Sequence, residues 1–314
     1  MSMGRRMRQL MVDNRFLITP GVTTPLQAMI VEKAGFDFVY VGGYDTSLTL
    51  LGLPDVGLIT ATEMVANARN VARAVGLPVI CDADNGYGNA INVMRTVADY
   101  EAAGVAGIHI EDQVAPKRCG HAAGKTVVPR DEAVGKIRAA LDARKDPDFM
   151  IIARTDALAA AGGGFDEAVA RGKAFARAGC DVVWCEFPSA DLDYPRRFAQ
   201  ALHGEFPGLP LHFNYSSNLD WQRAPASFDD IAALGYKVIH VSLAGLRATM
   251  QATWDYAADL KARGAQAEID FERRSAAHPL GGHHAFAGFP RIRELEAKYL
   301  PADELRKYDE SVGL

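Results

Sequence analysis

The feature that most constrains this chain is a repeated alternation of short apolar runs with longer amphipathic segments. Eight runs rich in β-branched and aromatic residues occur between residues 16 and 242, namely FLIT, FVYV, PVICD, GIHIE, FMIIAR, DVVWCE, LHFN and VIHVS. Helix-type segments such as TATEMVANARNVARAV and DEAVGKIRAALDAR separate them, and several end in Ala-Gly just before the next run. Continuously apolar strands that alternate with helices are typical of a parallel sheet covered on both faces.

Eight such units over about 250 residues predict a (β/α)8 TIM barrel, an α/β fold. An open doubly wound sheet is the alternative, but no glycine-rich phosphate-binding sequence follows the first run. Beyond Arg263 the pattern changes to a polar segment with helix-type stretches near Glu294 and Glu304. We therefore predict a catalytic barrel over residues 1–264 and a C-terminal helical extension over residues 265–314, used in contacts between subunits.

Composition excludes several classes of function. The chain is 49% hydrophobic and 23% charged with a net charge of -5, and no basic block stands out, so a nucleic-acid partner is not expected. No apolar run is long enough for a membrane span or a signal peptide. The four cysteines show no paired spacing, which favours a reduced, cytoplasmic protein.

Polar residues recur where the predicted strands end. In a TIM barrel these ends meet at one mouth, where the active site forms. The residues at or just beyond the ends are Tyr40, Asp82, Asp84, Glu111, Arg154, Glu186, Asn214 and Ser242. Since scattered core polarity would not select the same end of every strand, this set predicts a site at the mouth.

The acids of this set suggest a metal ion. Asp82 and Asp84 are two residues apart, so on a strand both side chains point to one face, with Glu111 at the end of the next strand. Carboxylates that converge in one mouth repel each other unless a cation lies among them. Oxygen ligands alone suit Mg²⁺ or Mn²⁺ rather than zinc. The alternative is that the two aspartates cap the next helix or hydrogen-bond the glycine turn.

The segment KRCGH, from Lys117 to His121, suggests a reactive cysteine. Cys119 stands between Arg118 and His121 on a glycine-flanked loop, a setting that favours an accessible thiol able to give and take a proton. Cys81, Cys180 and Cys185 lie in or beside apolar runs and are interpreted as packing residues.

The histidines are weaker candidates. His109, His212 and His240 fall within predicted strands, where a core histidine is at least as well supported as a ligand. Adjacent His283 and His284 are interpreted as structural. No predicted strand ends in lysine, which argues against a Schiff-base aldolase.

Four of these motifs together resemble one family. LGLPD (51–55), DADNGYGN (82–89), KRCGH (117–121) and ARTDA (153–157) are similar to motifs of the isocitrate lyase/phosphoenolpyruvate mutase superfamily, over about residues 10 to 260. The resemblance implies a barrel whose last helix is usually exchanged between subunits of a dimer of dimers. It also implies that Mg²⁺ holds a small 2-oxo or 2-hydroxy acid. The cysteine loop marks the branch that breaks carbon–carbon bonds, with isocitrate, methylisocitrate and dimethylmalate lyases and oxaloacetate hydrolases.

Carried over by position, the resemblance assigns roles to individual residues. Asp82 and Asp84 match the metal-site pair, and Glu111 would hold metal-bound water. The catalytic set would be Tyr40, Asp55, Cys119, His121 and Arg154. The substrate-binding set would be Gly42, Gly43, Tyr44, Gly120, Glu186, Asn214, Ser216, Ser242 and Arg247. Three positions depart from the family: Gly42 replaces a serine or threonine, Tyr44 stands where many relatives have a small residue, and Asn218 replaces a serine.

The sequence thus predicts a Mg²⁺-dependent lyase that cleaves a small 2-hydroxy di- or tricarboxylate, with Cys119 as general acid and Tyr40 as the candidate base for the hydroxyl. Hydrolysis or decarboxylation of oxaloacetate at the same metal is the alternative. Phosphonopyruvate-type chemistry and a non-catalytic metabolite-binding barrel are less well supported. The changes at Gly42, Tyr44 and Asn218 predict that isocitrate is a poorer substrate than a substituted malate or oxaloacetate.

Overall fold

The computed structural model describes residues 1–311. Eight parallel strands close into a barrel in chain order, and the last strand pairs with the first. The strands are β1 (Leu17–Val22), β2 (Val39–Val41), β3 (Val79–Asp82), β4 (Gly107–Glu111), β5 (Met150–Thr155), β6 (Val182–Cys185), β7 (Leu211–Asn214) and β8 (Tyr236–Val241). Each predicted run overlaps one strand, and the predicted (β/α)8 fold is confirmed.

Helices follow the strands, as the alternation predicts. They are α1 (Met3–Asp13), α2 (Pro25–Lys33), α3 (Gly43–Thr46), α4 (Ala61–Ala74), α5 (Ala90–Ala103), α6 (Arg130–Ala143), α7 (Phe165–Ala178), α8 (Asp193–His203), α9 (Phe228–Ala233), α10 (Ala244–Arg263), α11 (Ala265–Ser275), α12 (His283–Phe286), α13 (Phe289–Tyr299), α14 (Ala302–Leu305) and α15 (Lys307–Glu310). Helix α1, which precedes the first strand, was not anticipated from the sequence.

Local sequence explains where the covering helices begin and end. Thr60 starts α4 with a capping box, because its hydroxyl accepts from the backbone N–H of Glu63 while the Glu63 carboxylate accepts from the N–H of Thr60. Gly104 and Gly179 end α5 and α7 in the left-handed conformation. The Ala-Gly endings therefore stop these helices as predicted.

Aromatic and imidazole side chains fill the barrel interior below the mouth. Tyr40, His109, Trp184 and His240 come from the even-numbered strands, and their side chains are almost fully buried, as in the layered packing of this fold. His212 of β7 stacks on Trp184 at 4.6 Å, and its Nε2 lies 2.8 Å from Nδ1 of His240. Burial lowers the pKa of His212 to about 3, so this side chain is neutral. The strand histidines are thus core residues.

The chain divides into two compact units, Met1–Ala248 and the residues from Thr249 onward. The first unit holds the whole barrel. The boundary that we predicted at residue 264 stays a prediction. Across residues 1–311, no helix has both the length and the apolar character needed to cross a membrane.

Candidate active site

A cavity of about 490 Å³, counting its opening to solvent, lies at the carboxyl ends of the strands. Most of the predicted site residues line it. They are Tyr40, Gly42, Gly43, Tyr44, Asp55, Asp82, Glu111, Cys119, Gly120, His121, Arg154, Glu186, Asn214, Ser216 and Ser242. The remaining lining residues are Asp45, Lys117, Trp184, Asn218, His240 and Leu243. Charged and polar side chains predominate in this lining, which suits a small polar molecule.

Two predicted residues do not line the cavity. Asp84 is buried just behind the wall, where Oδ1 lies 2.6 Å from Nζ of Lys117. Arg247 is exposed, and its guanidinium donates to the carbonyl oxygen of Ser217 at 2.8 Å. The structure therefore places Arg247 apart from the other candidates.

Lys117 is the cation among the acids. Its ammonium group is buried and lies 2.6 Å from both Asp55 and Asp84. Burial opposes its charge, but Asp84, Glu111, Asp55 and Asp82 outweigh burial and raise the pKa of Lys117 well above its usual value. The acids that we expected to require a metal ion are thus partly balanced by a side chain.

The three predicted metal ligands differ in their surroundings. Asp82 accepts hydrogen bonds from the N–H groups of Gly43 and Asp84, each at 2.8 Å. Burial raises the pKa of Asp82, but His109, Lys117 and Arg154 outweigh burial and hold it below the usual range. Burial raises the pKa of Asp84 to about 6, and that of Glu111 well above normal.

The donor atoms fit a hard cation that completes its shell with other oxygens. Within residues 1–311, no group of three or more His, Cys, Asp and Glu side chains could hold a metal ion. However, Oε1 of Glu111 is buried without a hydrogen-bond partner, and Asp84 has the left-handed φ of 47°, a strained conformation for this residue. Mg²⁺ commonly takes one or two carboxylates and adds water and substrate oxygens. These acids therefore suit Mg²⁺ bound together with a substrate.

The predicted cysteine belongs to a chain of side chains across the mouth. His121 lines the cavity together with Cys119, and Nε2 of His121 lies 3.0 Å from Oε1 of Glu186. The same Glu186 oxygen accepts from Nδ2 of Asn214 at 3.0 Å. Burial disfavours the charged imidazole, but Glu186 outweighs burial and raises the pKa of His121 to about 10. His121 is therefore an imidazolium at neutral pH.

The loop turns its two cations in opposite directions. Lys117 is buried in the site, whereas Arg118 is exposed and absent from the cavity wall. Gln113 fixes this turn, because its side-chain amide donates to the carbonyl of Arg118 and accepts from the Arg118 N–H, each at 2.9 Å. The Cys119 N–H donates to the carbonyl of Asp55 at 3.1 Å. His121, not Arg118, is thus the cation beside the thiol.

Arg154 is held by a carboxylate that sequence reasoning missed. Its guanidinium donates two 3.0 Å hydrogen bonds to Asp156, and its Nη2 lies 3.4 Å from Glu111 and 3.5 Å from Glu186. Asp112 in turn accepts from the N–H of Asp156 at 2.9 Å. Asp156 lies within the ARTDA motif, two residues after Arg154, and Asp112 directly follows Glu111, but neither was assigned a role from the sequence. They orient Arg154 for an anionic ligand.

Tyr40 is a poor candidate for the hydroxyl base. Its phenol oxygen lies 2.9 Å from Nε2 of the buried His109. Burial, followed by the charge of Asp82, raises the pKa of Tyr40 well above its usual value. The phenolate that a base requires is therefore disfavoured.

Comparison with known proteins places the chain among enzymes of similar architecture. A sequence profile described as phosphoenolpyruvate phosphomutase matches residues 7–261. Isocitrate lyase of Haloferax volcanii is 40% identical over 311 residues, which is 98% of this chain and 90% of that protein. The 2,3-dimethylmalate lyase of Eubacterium barkeri is 39% identical over 300 residues, which is 95% of this chain and 99% of that protein.

Solved structures show the same similarity. Oxaloacetate acetylhydrolase in complex with 3,3-difluorooxalacetate superposes with a TM-score of 0.83 at 31% identity, over 95% of this chain and 97% of that one. Phosphonopyruvate hydrolase in complex with oxalate and Mg²⁺ gives a TM-score of 0.81 at 32% identity, over 96% of this chain and the whole of that one.

Proposed function

Because the chain belongs to the phosphoenolpyruvate mutase/isocitrate lyase superfamily, we propose that it is a Mg²⁺-dependent lyase of a small 2-hydroxy di- or tricarboxylate. The products would be a 2-oxo acid and a carboxylate. The observation that carries the proposal is the Cys119 thiol in the cavity wall beside the charged His121. A lyase of this kind needs such a proton donor, since the fragment that leaves as an enolate must be protonated on carbon.

The charges of the site support a substrate with several carboxylates. The guanidinium of Arg154 and the imidazolium of His121 both line a cavity sized for a small molecule. Preorganised cations and N–H donors stabilise the charge that develops when a carbon–carbon bond breaks. The amide of Asn214 and the hydroxyl of Ser216 lie on the same wall and would add neutral hydrogen bonds.

The metal would be held by Asp82 with Asp84 and Glu111, and the rest of its shell would be water and substrate oxygens. When bound, Mg²⁺ would polarise the oxygen on C2 as a Lewis acid. A phosphonopyruvate hydrolase of similar structure is described in complex with oxalate and Mg²⁺. Since Lys117 already balances two acids of the site, we expect metal and substrate to bind together.

Cys119 would donate its proton to the enolate carbon, and the thiolate that remains would be stabilised by the neighbouring imidazolium. Glu186 keeps that imidazolium charged, because Arg154 and His121 outweigh the effect of burial and hold the pKa of Glu186 at about 2. The side chains of Cys119, His121 and Glu186 thus act as a single unit. In the direction of synthesis, the same thiolate would remove the proton.

Hydrolysis or decarboxylation of oxaloacetate is the second candidate. It is favoured by the similarity to oxaloacetate acetylhydrolase, whose solved complex holds 3,3-difluorooxalacetate. The two candidates differ in their products. Cleavage of a 2-hydroxy acid forms a new carbonyl group, whereas hydrolysis of oxaloacetate forms oxalate and acetate.

The test is a panel of isocitrate, methylisocitrate, dimethylmalate, citramalate and oxaloacetate, assayed with Mg²⁺ and with product identification. We expect a substituted malate or methylisocitrate to give a 2-oxo acid and a carboxylate. Turnover of oxaloacetate alone would support the second candidate. No turnover of any of these acids would contradict both.

We also propose that the chain forms a homo-oligomer, a dimer of dimers, in the cytoplasm. The unit from Thr249 onward exposes large apolar side chains, including Trp254 at 73%, Phe289 at 54% and Ile292 at 54%. Association would bury them. All four cysteines are free, as is usual for proteins of reducing compartments. Sedimentation equilibrium would measure the assembly, and a monomer at micromolar concentration would contradict it.

A further inference from the structure

Asp45 is a buried acid in the cavity wall that has no role in the chemistry above. It is 2% exposed, and neither carboxyl oxygen has a hydrogen-bond partner of normal geometry. A buried carboxyl group without a partner is unfavourable, by several kcal/mol when it is charged. Such a group is retained at low energetic penalty only if a ligand satisfies it or if it holds a proton.

Two glycines keep Asp45 open to the cavity. A Cβ atom at Gly42 would lie 3.3 Å from Oδ2 of Asp45, and a Cβ atom at Gly21 would lie 3.1 Å from the same oxygen. Both distances are tighter than ordinary van der Waals contacts. The absence of side chains at these two positions therefore leaves room beside the carboxyl group.

Asp45 also lies close to the proposed metal ligands. Gly42 borders Asp45 and the ring of Tyr40, while a Cβ atom at the next residue, Gly43, would meet Asp82 at 2.7 Å. Consecutive Cα atoms are about 3.8 Å apart. Adjacent glycines thus border Asp45 and Asp82, and both carboxyl groups line the same cavity.

The electrostatic surroundings give Asp45 the character of a base. Burial raises its pKa to about 7, the charges of Asp82 and Asp55 act in the same direction, and the backbone of Leu243 opposes them. Within residues 1–311, no cation forms an ion pair with Asp45. An acid whose pKa lies near the operating pH is suited to general base catalysis.

We propose that Asp45 accepts the proton of the substrate's 2-hydroxyl group, an assignment that rests on the proposed lyase function. The O–H bond breaks and its proton moves to a carboxyl oxygen of Asp45. The electron pair of that bond forms the new carbonyl, and the pair of the C2–C3 bond moves into the enolate, which takes a proton from Cys119. Transfer of the Asp45 proton to the Cys119 thiolate through solvent restores both groups.

This role makes Asp45 a determinant of specificity. A carboxylate attracts a hydroxyl group, which donates a hydrogen bond, and repels an oxo group, which offers only lone pairs. Lactate and pyruvate differ only in this respect, and neither has the second carboxylate that cleavage requires. A comparison of the affinities for lactate and pyruvate therefore reports the contact between Asp45 and the hydroxyl group without turnover.

The experiment compares the wild type with Asp45→Asn, and uses Asp37→Asn as the control because Asp37 is an exposed acid just before β2. With the best substrate of the panel, Asp45→Asn should lower kcat by at least about a hundredfold, the scale of a general base. KM should rise by about the factor by which affinity for lactate falls, because the same contact holds the hydroxyl group of the substrate. Calorimetry with Mg²⁺ should show that Asp45→Asn loses affinity for lactate but not for pyruvate.

A third variant, Asp45→Ala, tests whether the loss of activity reflects the missing carboxylate or a disturbed structure. Formate should restore part of the activity of Asp45→Ala and none to the other proteins, because a small carboxylate can enter the vacated space. Equal loss of affinity for lactate and pyruvate, or kcat of Asp45→Asn within about tenfold of the wild type, would overturn the proposal. A wild type that cleaves no 2-hydroxy acid would contradict the lyase function instead. In that case, the affinities for lactate and pyruvate would still test the contact between Asp45 and the hydroxyl group.

Discussion

Replacing Lys117 by methionine should destabilise the protein, because this ammonium group balances buried acids of the site. It lies 2.6 Å from Asp55 and 2.6 Å from Asp84, and all three side chains are almost fully buried. Methionine keeps the length and apolar stem of lysine and removes only the charge. The variant therefore isolates the electrostatic contribution of Lys117.

The magnitude follows from the burial of the pairs. Removing one partner of a buried ion pair costs about 3–5 kcal/mol, since the other charge remains uncompensated. We expect the lower end, about 3 kcal/mol, because Asp55 faces a cavity that admits water. For a chain of 314 residues, that loss corresponds to a fall in Tm of roughly 5 °C.

Mg²⁺ should reduce the difference in stability between Lys117→Met and the wild type. A cation that binds only the folded protein stabilises it by about 2.7 kcal/mol at a concentration a hundred times its Kd. Without Lys117 the acids attract Mg²⁺ more strongly, so Mg²⁺ should raise the free energy of unfolding of Lys117→Met more than that of the wild type. This difference would locate the metal at the same acids.

The assay is urea denaturation, followed by circular dichroism, of the wild type, Lys117→Met and Arg118→Met, each with and without Mg²⁺. Arg118→Met is the matched control, because this exposed neighbour carries the same charge on the same loop. We expect its free energy of unfolding to remain within about 0.5 kcal/mol of the wild type. If Lys117→Met without Mg²⁺ is as stable as the control, the counter-ion role of Lys117 is wrong.

Four further outcomes are expected. Chelation of divalent metal, or Asp82→Ala, should abolish turnover, and full activity in metal-free buffer would contradict the metal assignment. Cys119→Ser should fold normally but lose at least about a hundredfold in kcat, the scale of a general acid. Thiol alkylation should inactivate the wild type unless substrate protects it, and unchanged turnover of the serine variant would leave the loop with a closing role only. The pKa of His121 is raised from 6.5 to about 10, so its ion pair with Glu186 contributes its full stabilisation below pH 6.5 and loses it as pH rises through 10. Urea denaturation between pH 6 and pH 10 should therefore show a decline that His121→Gln lacks, and equal declines would refute the ion pair. Isocitrate should show a lower kcat/KM than a substituted malate or oxaloacetate, and a tenfold advantage for isocitrate would refute our interpretation of Gly42, Tyr44 and Asn218.

The barrel could be predicted from the sequence because its determinants are local and periodic. Each strand is a short apolar run, and each covering helix has its own period and termination, such as Gly104 after α5. Chain order alone then brings the strand ends to one mouth. This is why Asp82, Glu111, Arg154 and Glu186, which are distant in sequence, were predicted together and line one cavity.

Residues on loops could not be assigned in the same way, because a loop has no period that fixes where a side chain points. From the sequence, Arg118 was placed beside the thiol and Lys117 was given no role, but the turn held by Gln113 buries Lys117 and exposes Arg118. Arg247 was grouped with the site by its motif, yet it bonds to the carbonyl of Ser217 outside the cavity.

The sequence by itself determined the fold, the strand ends that meet at the mouth and the cysteine loop beside them. Only the tertiary structure decided how the charges of the site are balanced. Lys117 contacts Asp55 and Asp84, which lie 62 and 33 residues earlier in the chain. Asp45 is open to the cavity because Gly21 and Gly42, on two different strands' ends, leave space beside it. The energy of a charged group depends on every neighbour and on its burial, and these are set by the closed barrel, not by neighbours in sequence.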